Sequence, residues 1–396
     1  MDEQRLQAYK TLIQQLLACP AGEEASVLQA QAELVDAGLV EVMRLVADQM
    51  ADESPNNAGW LRQFAGQVAQ ALGLERSSAS SSEDMDQFVG EVMGQIGQTR
   101  GNPEQVYGFW RANLDRLNPE FLATLPITFR RLIGQNSPEL IAPVFVMFGD
   151  LIQQFPWGVR WLNLEQAIAA YERALEVYTR DSFPEQWAGI QNNLGLAYRN
   201  RIRGKRADNL ELAISVHERA LEVYTRDAFP EQWAGIQNNL GLAYSNRIRG
   251  DRADNLEQAI AAYERALEVR TRDALPEDWA TTQNNLGIVY WNRIRGERAD
   301  NLEQAIAAYE RALEVRTRDA LPEDWATTQN NLGIVYWNRI RGERADNLEQ
   351  AIATYERALE VRTRDALPED WAATQNNLGL AYNDRIRGER ADNLER

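Results

Sequence analysis

The sequence predicts an all-α solenoid behind an N-terminal helical cap. Three observations predict it. A motif of the form NLEQAIAAYERALEV…PEQWAGIQNNLGLAY recurs every 46 residues, starting at Asn163, Asn209, Asn255, Asn301 and Asn347, with a stub restarting at Asn393. The copies at 255–300 and 301–346 are identical at all 46 positions. Each copy carries two apolar stripes at helical spacing, punctuated by Pro and Gly. A fixed period in this range means stacked units that bury their apolar faces mainly against their neighbours.

Composition narrows the class. The 396 residues are 44% hydrophobic, enough for a substantial core, and carry a net charge of −17. That charge argues against nucleic acid or an anionic membrane as partner. Cys19 is the one cysteine and His217 the one histidine, so neither an internal disulfide nor a Cys/His metal site is expected. The start MDEQRLQAYK has no basic-then-apolar leader, and no uninterrupted apolar run reaches membrane-spanning length. A cytoplasmic location is the expectation.

The N-terminal elements follow in order. Leu6, Tyr9, Leu12, Ile13, Leu16 and Leu17 predict a helix over 3–18, ended by Cys19-Pro20. A second helix is expected over 25–50, with Gly38 as its point of interruption, and a third over 58–73. Residues 1–74 thus form a helical region of their own, and the serine-rich stretch 75–84 reads as a flexible linker. In 85–136, a helical capping region, Met85, Phe88, Val89, Val92, Met93 and Ile96 share one face. Asn102-Pro103-Glu104, Asn118-Pro119-Glu120 and Ser137-Pro138-Glu139 each read as a cap, a Pro at the first helical position and an acid favoured by the helix dipole. Pro138 and Gly149 lie 46 residues before Pro184 and Gly195, so 137–162 reads as a degenerate repeat arm closing the solenoid's end.

The repeats fill 163–396, as 163–208, 209–254, 255–300, 301–346, 347–392 and the stub 393–396. In each, helix B is expected to begin at the Asp208-Asn209-Leu210-Glu211 position, with Asp208 and Glu211 spaced as a capping box and Asn209 as the alternative cap. Its first copy buries Leu164, Ala167, Ile168, Tyr171, Ala174, Leu175 and Tyr178. Helix A is expected from Pro184 to a stop at Gly204, with Trp187, Ile190, Leu194, Ala197, Tyr198 and Ile202. Gly195 in mid-helix, repeated at Gly241, Gly287, Gly333 and Gly379, implies close approach of a neighbouring helix, since glycine there otherwise costs about 1 kcal/mol. Trp187, Trp233, Trp279, Trp325 and Trp371 are expected to pack the helix ends together.

Leu240, Gly241 and Tyr244 on helix A, with Ala259, Tyr263 and Ala266 on helix B, resemble the tetratricopeptide repeat family. Gln237 stands at the family's frequent early Trp position, and the family's Pro near the end of the second helix has no counterpart. The resemblance implies a right-handed superhelix of helical hairpins, here 184–226, 230–272, 276–318 and 322–364. The runs Asn192-Asn193-Leu194, 238–240, 284–286, 330–332 and 376–378 are similar to the kinesin light chain subgroup. That likeness implies an extended peptide held on the concave face. Leu16–Glu24 and Leu34–Val40 resemble the start of large cyanobacterial repeat proteins, many of which continue into a caspase-like CHAT protease domain; no such domain is present in this sequence.

The candidate partner-binding residues are Asn192, Asn238, Asn284, Asn330 and Asn376, with Asn200, Asn292 and Asn338. Arg199, Ser245, Trp291 and Trp337 join them at a position that varies between otherwise similar copies. Amides both donate to and accept from a peptide backbone, and exposed aromatics anchor partners. The alternative for each asparagine pair is bonding between repeats, with one member expected in that role. The arginines of the RIRG segments form a periodic basic ridge that could meet an acidic partner or RNA; pairing with the next turn's carboxylate is the alternative.

Catalytic signatures are lacking: neither GxxxxGK before Ser or Thr nor GxSxG occurs, and His217 stands where other copies have Tyr171 and Tyr263. Repeated carboxylates supply no singular constellation, so no enzyme, cofactor or metal is expected. The expected function is a protein–protein interaction scaffold taking a protein or peptide ligand. The alternatives are a sensor arm of a CHAT-type protease in a longer product, and a solenoid that self-associates end to end, its last helix A lacking a helix B partner.

Overall fold

The computed structural model describes residues 3–19, 24–50, 55–72 and 81–386. Among these residues there are eighteen α-helices, one 3-10 turn and no strand, divided into two compact units. The first comprises Met1–Phe183 with Asn200–Arg206, and the second Pro184–Arg199 with Ala207–Arg396.

The first unit begins with α1 (Glu3–Ala18), α2 (Glu24–Ala30), α3 (Ala37–Gln49) and α4 (Pro55–Ala71). They share a core that includes Tyr9, Leu12 and Ile13 from α1, Leu39, Val40 and Met43 from α3, and Leu61, Ala65 and Val68 from α4. The single helix expected over 25–50 is broken, and not at Gly38. A 3-10 turn at Ala32–Leu34 leads to Asp36, which accepts the Leu39 N–H at 3.0 Å and caps α3. The same carboxylate accepts the buried Tyr9 hydroxyl at 2.7 Å and the Arg5 guanidinium at 2.6 Å. One carboxylate therefore ends the turn, starts a helix and ties it to α1.

Of the expected linker, 75–80 lies outside the described residues, and Ser81 already opens α5 (Ser81–Thr99). Then come α6 (Pro103–Ala112), α7 (Pro119–Gln135), α8 (Pro138–Gln154) and α9 (Arg160–Ala174). Asn102 and Asn118 cap as the sequence predicts, each side-chain oxygen accepting backbone N–H groups of the first turn. Ser137 does not cap; its hydroxyl donates to the Glu139 carboxylate instead. Phe88, Trp110, Phe121, Phe148 and Phe155 fill the space between these helices, with ring centroids 5.3–5.8 Å apart. A Cβ on Gly149 would lie 2.6 Å from the Tyr171 ring, so α8 and α9 touch backbone to ring.

The second unit is a solenoid of hairpins. Its A helices are α10 (Pro184–Asn200), α12 (Pro230–Asn246), α14 (Pro276–Asn292), α16 (Pro322–Trp337) and α18 (Pro368–Asn383). Its B helices are α11 (Arg206–Ala220), α13 (Arg252–Leu267), α15 (Arg298–Leu313) and α17 (Arg344–Leu359). From α12 onward each helix packs on the next. The mid-helix glycines allow this. A Cβ on Gly241, Gly287 or Gly333 would lie 2.6–2.7 Å from the ring of Tyr263, Tyr309 or Tyr355. At Gly195 the same place is taken by His217.

The A-to-B corner differs from its sequence reading. Helix A stops at Asn246, not at the glycine, and Gly250 takes φ +80 inside the loop that follows. Helix B starts at Arg252, capped by Asp251, which accepts the Asp254 N–H at 3.0 Å. The capping box expected at Asp208 and Glu211 is therefore displaced, and both positions are already helical. The repeated asparagine closes the loop instead. Asn255 is 1% exposed, and its Nδ2 donates to the carbonyls of Arg249 (2.8 Å) and Arg247 (3.4 Å). Burying that amide between two loop carbonyls leaves neither side unsatisfied.

The arginine ridge is paired, but one repeat earlier than expected. Arg247, Arg293, Arg339 and Arg385 each hold Glu211, Glu257, Glu303 or Glu349 through two bonds of 2.7–2.8 Å. Arg249, Arg295 and Arg341 hold Asp208, Asp254 and Asp300. Two-pronged pairs of this kind fix orientation as well as charge, and they tie each loop to the preceding B helix. They also neutralise the surface that would have met RNA. The tryptophans at 187, 233, 279, 325 and 371 are half-buried rather than core residues. The stub 393–396 lies outside the described residues.

His217 packs where its neighbours carry tyrosine. It is fully buried, neither ring nitrogen has a hydrogen-bond partner, and burial holds its pKa down at about 3, with Arg199 adding to the effect. The unfolded chain binds this proton near pH 6.5, so the neutral ring stabilises the fold above that pH and the contribution is lost as pH falls toward 3. Between pH 7 and pH 5 the loss is about 2 kcal/mol. His217→Tyr restores the repeat's own residue and should flatten the pH dependence by that amount. Urea midpoints of both proteins at pH 7, 6 and 5 measure it; equal pH slopes would contradict a buried neutral imidazole.

Candidate partner-binding surface

The A helices of the solenoid carry the amides. Each helix A presents two adjacent asparagines, and the side chains bridge from one A helix to the next. Asn239 Nδ2 donates to Asn192 Oδ1 at 3.1 Å, Asn285 to Asn238 at 3.3 Å, and Asn377 to Asn330 at 3.2 Å. Asn284 Oδ1 lies 3.3 Å from the Thr328 hydroxyl oxygen. The sequence led us to expect one bridging asparagine per pair; in the pair 238/239 both members take part, Asn238 accepting and Asn239 donating. Asn238, Asn284 and Asn330 are 6–9% exposed, so little of them reaches solvent. Asn192 is half-buried and Asn376 exposed.

The other candidates have local duties. Asn292 and Asn338 turn back on their own helices, donating to the carbonyls of Ile288 and Ile334 at 2.8 Å, while Asn200 is exposed. Arg199 is half-buried near His217. The Ser245 hydroxyl donates to the Leu242 carbonyl at 2.9 Å. Trp291 is half-buried, with the Arg298 guanidinium 4.5 Å from its ring, and Trp337 Nε1 donates to Asp384 at 3.1 Å. Both indoles pack against the core around Leu332, Val335 and Tyr355. An aromatic held under an arginine is less free to anchor a partner than its variability in sequence suggested.

Behind the amides the solenoid has two interiors. Where the sequence reads Tyr224…Gln232…Gly235-Ile236, the filling is aromatic and apolar. Tyr224 stacks edge-on against Phe229 at 5.2 Å, and its hydroxyl donates to the Glu185 carbonyl at 2.9 Å. In the later copies the same positions read Arg270…Asp278…Thr281-Thr282, and again Arg316…Asp324…Thr327-Thr328. Arg316 is 5% exposed; it donates to Thr328 at 3.2 Å and to Thr281, on the preceding A helix, at 3.0 Å. Arg362 repeats both bonds with Thr374 and Thr327. Burial pulls these guanidinium pKa values down, and Asp278, Asp324 and Asp370 oppose it. This coordinated change of four positions was visible in the aligned copies, and pattern reading missed it.

The aromatic interior leaves a recess. Gly189, Asn192 and Asn193 of α10, Tyr224, and Gln232, Gly235, Ile236 and Asn239 of α12 enclose about 230 Å³. Among the predicted residues it contains only Asn192. Among the described residues no group of His, Cys, Asp and Glu side chains could hold a metal ion, and no helix is long and apolar enough to cross a membrane.

Four segments of the chain, 187–229, 233–273, 279–319 and 325–365, match the family model of the tetratricopeptide repeat. Each begins at a helix A tryptophan and runs into or through the following helix B. The fold is similar to the crystal structure of BtubC (BKLC) from P. vanneervenii, at 23% identity and a TM-score of 0.45, covering 63% of this chain and 91% of that one. No curated protein matches the sequence. The tetratricopeptide repeat is an interaction fold, and the all-α solenoid with these repeats supports a protein-binding scaffold.

Proposed function

We propose that this chain is a protein–protein interaction module that binds an extended peptide segment along the A-helix face of its repeats. The observation that carries this reading is the run of half-buried side-chain amides, Asn192, Asn193, Asn239 and Asn285, on consecutive A helices, held in place by the buried Asn238. A bridged amide has its geometry fixed, and its remaining donors and acceptors suit a backbone more than any particular side chain. The arginine ridge does not compete with this face, because Arg247, Arg293 and Arg339 are paired with carboxylates. A phage-displayed pool of random 12-residue peptides tests it. The immobilised wild type should enrich clones whose binding falls at least about tenfold against Asn193→Ala/Asn239→Ala, a loss of roughly 1.4 kcal/mol. Failure of the folded wild type to enrich any clone would sink the reading.

A second reading rests on a different observation. Ile248, Ile294, Ile340 and Ile386 are 60–63% exposed at the same place in successive loops. A second copy of this chain carries the same row at the same spacing, so the row favours self-association through matching ridges. Sedimentation velocity over a hundredfold concentration range decides. The reading requires a concentration-dependent size that Ile294→Ser/Ile340→Ser abolishes; a size unchanged over that range counts against it.

A further inference from the structure

An extended peptide over these repeats faces a problem of register. The copies 255–300 and 301–346 are identical, so contacts made there are equally good after a slip of one repeat. Register needs a place where the repeats differ, and the A-helix face has one. Between α10 and α12 two glycines, Gly189 and Gly235, stand where later copies carry Thr281 and Thr327. A Cβ at Gly189 would come 3.4 Å from the Tyr224 hydroxyl, and one at Gly235 would come 3.6 Å from the Arg270 guanidinium. Ordinary contact distances mean that these glycines are not forced by packing. The missing Gly189 side chain faces Tyr224 and leaves open space of about 230 Å³ beside Ile236, which the Gly235 backbone also lines.

The lining defines what fits. Ile236 is 2% exposed, and with the Tyr224 ring it supplies an apolar surface. Asn192, Asn193, Gln232 and Asn239 supply amides, and none of the eight lining residues is charged. A small uncharged side chain with a hydrogen-bonding head could bury its stem and pair its head. A carboxylate or ammonium would be desolvated there, and the nearest guanidinium, Arg270 beside Gly235, is already held by Asp278 at 3.2 Å, so burying a charge is unfavourable. In the later copies the corresponding space is closed by arginine: the Arg316 and Arg362 guanidinium groups reach across to Thr281 and Thr327 at 3.0 Å.

We propose that the recess between α10 and α12 is a side-chain subsite for a small uncharged residue of the Ser, Thr, Asn or Gln kind, and that its occupation sets the register of a bound peptide. This rests on the peptide-binding reading above. Gln and Glu are nearly the same size, as are Asn and Asp, so charge alone separates them at this site.

The test uses a positional-scanning library of fluorescein-labelled nonapeptides against the immobilised full chain. Three proteins are compared: wild type, Gly189→Thr/Gly235→Thr, and the milder Gly189→Ala, whose Cβ faces Tyr224, as a safeguard should the double variant not fold. The wild type should show one peptide position at which Asn and Gln are preferred over Asp and Glu by about tenfold or more. That preference should vanish in the double variant and weaken in Gly189→Ala, with binding at other positions kept. If peptides bind and the preference is absent, or survives both substitutions, the subsite is overturned while peptide binding stands. If no peptide binds the wild type, both fall.

Discussion

Gly287→Ala is expected to lower the unfolding free energy by about 2–3 kcal/mol, the overpacking range, although alanine ordinarily gains about 1 kcal/mol over glycine in a helix. The sign is reversed by geometry. The new Cβ would sit 2.7 Å from Tyr309 Cε1 and 2.9 Å from Cδ1, inside any real carbon contact. Tyr309 is 1% exposed and wedged between α14 and the helices around it, so it cannot swing aside. Gly94 in α5 provides the control: nothing lies within 4 Å of its Cβ position, and Gly94→Ala should be neutral or stabilising. Tyr309→Ala alone should cost about 3–5 kcal/mol through its cavity. Gly287→Ala added to it should then cost nothing further. Urea unfolding of the four proteins gives the coupling energy directly; additive effects would mean that the glycine is not there for the ring.

Thr328→Val is expected to cost about 2–3 kcal/mol, although it keeps the shape of the side chain. The Thr328 hydroxyl accepts from Arg316 at 3.2 Å and donates to the Asp324 carbonyl at 2.8 Å. Arg316 is 5% exposed and its Nε already lacks a partner, so losing another leaves a buried cation poorly satisfied. The chain itself contains the alternative filling. Exchanging the whole set at once, as Thr281→Gly, Arg316→Tyr, Leu321→Phe, Asp324→Gln and Thr328→Ile, copies the Tyr224 arrangement into this site. Replacing a buried ionic network by apolar residues of fitting shape is often neutral, so the fivefold variant should lie within about 1 kcal/mol of wild type. Equal stability of Thr328→Val and wild type would show that the hydroxyl bonds do not hold the guanidinium.

The sequence made the hairpins legible because their cause is periodic. Apolar spacing and Pro at the first helical position repeat five times, and glycine opposite tyrosine recurs at Gly241, Gly287 and Gly333, so coincidence is ruled out. Boundaries were less legible where one residue serves a tertiary purpose. Asn255 looks like a cap in sequence, yet it lies in the first turn of α13 with its side chain buried against the preceding loop, and Asp251 caps the helix instead. Asp36 breaks a continuous helical pattern because Tyr9, 27 residues away, needs its carboxylate. The candidate site was half visible. The asparagine runs could be read, but which amide bridges and which faces outward depends on the stacking of neighbouring A helices. The contacts of Trp291 and Trp337 were not legible, since the arginine and aspartate that meet them lie 7 and 47 residues further along the chain. The recess was missed because it consists of what two glycines leave out.

The most direct measurement is by nuclear magnetic resonance, following the side-chain NH2 groups of ¹⁵N-labelled protein as the best-enriched 12-residue peptide is added. Asparagine and glutamine amides give signals apart from the backbone, so they report on the face in question. Peptide binding along the A helices predicts saturable shifts at Asn192, Asn193, Gln232 and Asn239, continuing to Asn285 and Asn331, with the exposed glutamine Gln350 of α17 unmoved. Shifts confined to helix B amides, or to residues beside Ile294 and Ile340, would contradict the account and move the interaction surface to the loops.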